Sequence, residues 1–187
     1  MFPRLSRQPD GSIAVEELTP PFLFVLFEVP GLLGPDQPDE VKRRLFPDPS
    51  DNEEIRKDWE RLVHPELYAL LASAREIVRK DLGRMVPAGG TCRLEIPAPH
   101  VSAWISALNT ARLALGAVHG IEDEDDLHPF DDPEEEDDDG EEVVELDERR
   151  LAVVKIHLLG ELQALLVLEQ DPEAAGPDYD PGRGDQG

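Results

Sequence analysis

The sequence predicts an α+β, mostly helical domain, with about five helices packed around a small antiparallel sheet. Three observations carry this. Two segments, Ser12–Val15 and Thr91–Ile96, alternate apolar with polar or small residues as half-buried strands do. Most of the other apolar residues recur at helical spacing in runs bounded by Pro and Gly. The chain has 187 residues, enough for one domain with a sizeable core and too few for two ordinary ones. A single domain over 1–170 with a tail over 171–187 is the expected organisation.

The first element is a hairpin: Phe2–Arg7, a turn at Pro9, Asp10 and Gly11, then Ser12–Val15. Thr19 is placed to cap a helix opened by Pro20 and Pro21 and continued by FLFVLFEV, which Pro30 and Gly31 should end. That run is apolar on nearly every side, as a central core helix would be, with a buried strand the alternative. Gly34–Pro38 is a linker, and Glu40–Leu45 a short basic turn closed by Phe46 and Pro47. Asp51–Arg61 reads as a polar helix with Ile55, Trp59 and Leu62 on one side. Pro65 opens a stronger helix whose stripe is Leu67, Leu70, Leu71, Ala74, Ile77 and Val78. Gly83–Gly90 breaks it. Thr91–Ile96 is then the third strand of the sheet, with Cys92, Leu94 and Ile96 inward and Arg93 and Glu95 outward. A helix over His100–His119 follows, capped by Gly120. The last helix, Asp147–Gln170, is too apolar in its middle for one-sided burial, which places it at the centre or at a homo-oligomer interface.

Lys and Arg number 18 against 42 Asp and Glu, a formal net charge of −24. This disfavours nucleic acid and anionic membrane as direct partners. The excess is local: Glu122–Glu148 holds 18 acids in 27 residues and no base. Such a block repels itself and buries little, so 122–147 is expected to be a disordered insertion, and the Pro- and Gly-rich tail likewise. A calcium loop with Gly140 at its sixth position fails, because Leu146 stands where the bidentate Glu is required. No uninterrupted apolar run reaches the roughly 18 residues of a membrane span, and Met1–Gly11 lacks the apolar core of a secretory signal, so the expected location is cytoplasmic. One cysteine, Cys92, cannot form a disulfide framework or a zinc cluster. Its inward position reads as an inert core thiol, with redox chemistry the alternative. The five histidines show no ligand spacing, and no nucleophile elbow or phosphate cradle is present; neither cofactor nor metal is expected.

On the helix before Gly120, Trp104, Leu108, Ala111, Leu115 and Val118 share an apolar face, edged by Ile105, Asn109, Arg112 and Gly116. A half-buried Arg112 needs an acceptor, and Glu161 on the last helix is the obvious carboxylate. The alternative is a polar notch that receives a partner or ligand.

The segment ALNTARLALGAVHGI, Ala107–Ile121, resembles the LND-LRL-LGTRL motif of an actinobacterial family named for the oxidative stress regulator AosR. LFPDPSDNEEIRKDWERLVHPELYALLASAREIV, WISALN and LLGELQALLV resemble further segments of that family in the same order, covering most of the folded body. Asn109, Arg112, Leu115, Gly116 and Gln163 keep the pattern. Thr110, Ala111, Val118 and Ala164 depart from it, and two charged positions are lost. The resemblance implies a non-enzymatic cytoplasmic regulator of transcription or oxidative-stress response that works through protein partners, with Asn109, Arg112, Gly116 and Gln163 as partner-binding candidates. An accessory role in Clp proteolysis, beside the adaptor ClpS, is the alternative. A small-molecule enzyme using a polar site near Arg112 is the third reading. A defined polar pocket there would favour the enzyme, and a filled core with an apolar surface would favour a binding module.

Overall fold

The computed structural model describes residues 2–122, 125–127 and 147–170. Most of the acidic run and the whole tail, both expected to be disordered, lie outside the described residues. The start of the run does not hang free: a 3-10 turn at Asp125–Leu127 follows Glu122. There Asp126 accepts from the Glu122 N–H at 2.9 Å and pairs with Arg149.

Strands β1 (Arg4–Arg7) and β2 (Ile13–Leu18) form the expected hairpin, with Leu5 opposite Val15. Its turn is made by Gly11 at φ 82 and by Asp10, whose carboxylate accepts from the Ser12 N–H and hydroxyl at 3.0 and 2.7 Å. Those bonds lower the Asp10 pKa. Strand β2 runs past Val15 through a bulge where Glu17 takes φ 61, an uncommon backbone for a non-glycine residue.

Helix α1 (Pro20–Leu32) passes through Pro30 and Gly31 instead of ending there. In the last turn a proline costs only one hydrogen bond, and the Leu33 N–H closes the end on Val29 and Gly31. Thr19 holds the cap position without a side-chain cap bond. Nor is α1 a central helix: Phe22, Val25, Leu26 and Val29 are buried, while Phe24 and Phe27 are 56% and 59% exposed.

Helix α2 (Asp39–Leu45) is anchored by the fully buried Val41. Helix α3 (Glu53–Leu62) is capped by Asn52, which accepts from the Glu54 N–H at 2.9 Å. Its expected apolar side stays largely outside the core, with Ile55 and Leu62 exposed and Trp59 half-buried. Helix α4 (His64–Leu82) buries Ala74, Val78, Asp81 and Leu82, so only the second half of its stripe reaches the core.

The Gly83–Gly90 break contains a further strand, β3 (Val86–Ala88), paired to β4 (Thr91–Ile96) across Gly89 and Gly90 at positive φ. The sheet is antiparallel in the order β1-β2-β4-β3. After a 3-10 turn at Ala98–His100 comes α5 (Val101–His119). It closes as expected on left-handed Gly120, with the Gly120 and Ile121 N–H groups both donating to Gly116 O. Val118 leaves the predicted face and is exposed, while Ala107, Thr110 and Ala114 join the buried one.

Contrary to the expected central place, helix α6 (Glu148–Gln170) is buried along one stripe, Ala152, Val153, Ile156, Leu159, Leu162 and Leu166, and rests mainly on α5, which packs also on α1, α2 and α4. One core joins β2, β4, α1, α4, α5 and α6. Lys155 on α6 ties α1 to it, donating to Glu28 at 2.8 Å and lying 5.0 Å over the Phe24 ring. Contrary to expectation, Ala98–His119 and Glu148–Gln170 are each long and apolar enough for a membrane span. Half of the first apolar stretch and a third of the second are buried inside the domain.

Asp81 is the one fully buried carboxylate among the described residues, with no exposed surface. Its Oδ2 accepts from Trp104 Nε1 at 2.9 Å and lies 2.9 Å from His100 Nδ1, which places the ring proton on Nδ1. The Arg84 guanidinium pairs with its other oxygen. Four pieces of chain on either side of the β3–β4 hairpin are thereby joined: the end of α4, the turn into β3, the 3-10 turn, and α5. Asp81→Ala should lower stability by about 3–5 kcal/mol, because it strands donors in a dry site. Asp81→Asn keeps an acceptor for Trp104 and should lose less. Urea melts decide it, and a loss under about 1 kcal/mol for Asp81→Ala would mark the site as solvated.

Candidate functional site

Two hollows lie on opposite sides of α2. The first contains three of the sequence-predicted residues. Arg44 from α2 and Asn109, Arg112, Leu113 and Gly116 from α5 surround a hollow of about 420 Å³, with Ile121, Glu122, Leu127 and Ile156 completing its walls. Helix phase explains the grouping, because 109, 112, 113 and 116 fall on one strip of α5.

Arg112 does not pair with Glu161, which is exposed. Its Nη1 donates to Gln163 Oε1 at 2.9 Å, and its Nε–H is buried without an acceptor. Gly160 makes room for this side chain: a Cβ there would stand 3.4 Å from Arg112 Cζ. The expected ion pair is therefore a neutral–charged hydrogen bond. Gly116 is used by the chain itself, since a Cβ at that position would come within 3.0 Å of Ile121 O. Asn109 is exposed at the rim. The hollow near Arg112 is of mixed lining, apolar on its Leu113, Ile121, Leu127 and Ile156 walls and polar at Arg44, Asn109, Arg112 and Glu122. Its lining offers two cations, an amide and one exposed carboxylate, a set suited to holding an anion.

The second hollow was not found from sequence. A groove of about 240 Å³ runs between the end of α1, α2 and α4, lined by Leu32, Leu33, Leu45, Phe46, Tyr68 and Leu71. Lys42 and Arg75 stand at its edge, Arg75 held by a 2.9 Å bond from Nε to Pro30 O. Phe46 stacks at 4.5 Å on Tyr68, and His64 lies 5.5 Å from Phe46. The signal was present in the unburied half of the α4 stripe. Leu67, Leu70 and Leu71 are more apolar than a solvated face needs, and Leu71 lines this groove.

Cys92 sits apart from both hollows on β4, half-buried and unpaired, opposite Leu18 on one side and Pro87 on the other. Glu76 is the carboxyl with the largest displacement: Arg79 and then Lys80 hold it at about 2. It is on the outer face of α4 and lines neither hollow. Among the described residues no three His, Cys, Asp or Glu side chains converge as a metal site.

One protein family, described as "Domain of unknown function (DUF2017)", matches residues 6–169. No curated protein and no solved structure matches the chain.

The Arg112 geometry fixes a mutational pattern. Arg112→Ala and Gln163→Ala should each cost about 1–2 kcal/mol, the range for a hydrogen bond to a charged group with partial exposure. Glu161→Gln should change stability by less than about 0.5 kcal/mol. Denaturant melts test all three, and a Glu161→Gln loss equal to that of Arg112→Ala would restore the ion pair.

Proposed function

The chain belongs to the DUF2017 family, and on that premise we propose that it is a non-enzymatic cytoplasmic regulator that works through protein contacts. The observation that carries the proposal is the apolar groove between α1, α2 and α4. Leu32, Leu33, Phe46, Tyr68 and Leu71 present a concave apolar surface that a partner's side chains can fill, and concave apolar pockets are where binding energy concentrates. The rim cations Lys42 and Arg75 fit a partner segment whose apolar residues are flanked by acids. The exposed Phe24 and Phe27 on α1 add a second apolar surface of the kind that marks interaction sites.

The resemblance to the AosR-like regulators supports a role in transcription or oxidative-stress response, reached through a protein partner and not through DNA. An accessory role in Clp proteolysis makes the same demand on the surface, an apolar groove that takes a peptide. Self-association through α6 would be built on its outer side, where Val167 is exposed.

Tyr68→Ala and Leu71→Asp test the groove. Affinity capture with the wild-type chain should recover a partner that either variant, folded by circular dichroism, holds at least about tenfold more weakly. Equal recovery by both variants would contradict the proposal. The captured protein's identity, a transcription component or a Clp component, separates the two roles.

A further inference from the structure

The hollow on the other side of α2 carries a different function. We propose that Arg44, Asn109 and Arg112 form a binding site for a small organic anion, a carboxylate or phosphate head on an apolar body. The site is independent of the groove reading.

Arg112 has unmet hydrogen-bonding capacity. Of the three Arg112 guanidinium nitrogens, Nη1 is bonded to Gln163, and the buried Nε–H has no acceptor. A buried, unpaired donor on a cation is costly, and native structures retain few of them. Arg44 lines the same hollow and makes no ion pair with any carboxylate of the described residues. Arg7, Arg43 and Arg75 also lack an ion pair among the described residues but donate to backbone carbonyls, whereas Arg44 does neither; other cations of the chain find an acid nearby. Arg4, Arg56, Lys57, Arg61, Arg79 and Arg93 all do. Without carboxylate partners among the described residues, the Arg44 and Arg112 guanidinium groups beside the Asn109 amide offer donors for a carboxylate or phosphate, the acceptors that arginine serves best.

The rest of the lining specifies the body of the ligand. Leu113, Ile121, Leu127 and Ile156 make the remainder of the wall apolar, apart from Glu122 at the rim. A hollow of about 420 Å³ lies within the usual range for small-molecule sites. The net charge of −24 repels anions at long range. At physiological salt, screening cuts that repulsion within about 8 Å, so the two local cations dominate once the ligand is in the hollow. Glu122 is the one carboxylate among the lining residues and sets a local opposition that its removal would relieve.

Calorimetry on the full chain at fixed ionic strength tests the site with phenyl phosphate, benzoate and inorganic phosphate. Phenyl phosphate or benzoate should bind saturably and more tightly than inorganic phosphate. Arg44→Ala, at an exposed position with little bearing on folding, should weaken binding by about tenfold or more. Arg112→Lys should weaken it as well, Glu122→Gln should tighten it, and Tyr68→Ala in the groove should leave it unchanged. Absence of saturable binding, equal affinity for inorganic phosphate, or unchanged affinity in Arg44→Ala would each overturn the proposal.

Discussion

Asp81 is a charge that this domain places where a charge is least welcome. It stands in the last turn of α4, where the helix dipole is already negative, and it has no contact with solvent. Isolated, it would be strongly destabilising, so its retention depends on its three donors. Trp104 brings a neutral indole N–H, His100 an imidazole, and Arg84 a guanidinium that reaches in from the surface. Each comes from a different piece of chain, so meeting the needs of one carboxylate fixes where α4 ends and where α5 begins. Apolar packing alone would leave such a junction free to slide by part of a turn; a directional triad does not.

Both hollows inherit their geometry from that junction. Trp104 sets the rotation of α5, and the same rotation brings Asn109, Arg112 and Gly116, along the edge of that face, into one hollow with Arg44 of α2. On α4, the fixed lower half leaves Tyr68 and Leu71 to face α1 and α2. Helix α2 is the shared wall, contributing Arg44 to one hollow and Lys42, Leu45 and Phe46 follows at its end in the other. It is only seven residues long and is held by the buried Val41.

Much of the fold is legible in the sequence where local chemistry and tertiary need agree. The Asp10-Gly11 turn, the alternation in β4 and the glycine after α5 all name their structures directly. Strand β3 escaped because three residues with a central Pro87 carry no period. Helix α1 outran its expected end because a proline in the last turn removes one bond and no more. Asp81 was visible in principle: it continues the Ala74, Val78 stripe by three residues, and an acid on a buried stripe announces donors to come. For Arg112, charge matching pointed to Glu161, whereas helix phase points elsewhere. Ile156, Gly160 and Gln163 lie along one strip of α6, and Glu161 is turned well away from it. Periodicity places Asn109, Arg112 and Gly116 on the strip of α5 that lines one hollow. Arg44, from another helix, and the apolar groove depend on tertiary contacts that no local pattern encodes.

The central claim is that the Asp81 junction is part of the cooperative core and opens only when the whole domain does. Hydrogen exchange of the Trp104 indole N–H, followed by NMR across a denaturant series, measures this directly. The structure predicts that this proton exchanges with the free energy and denaturant dependence of global unfolding, in step with the slowest amides of α5. Exchange through a low-energy local opening, insensitive to denaturant, would show that Asp81 does not hold the domain together.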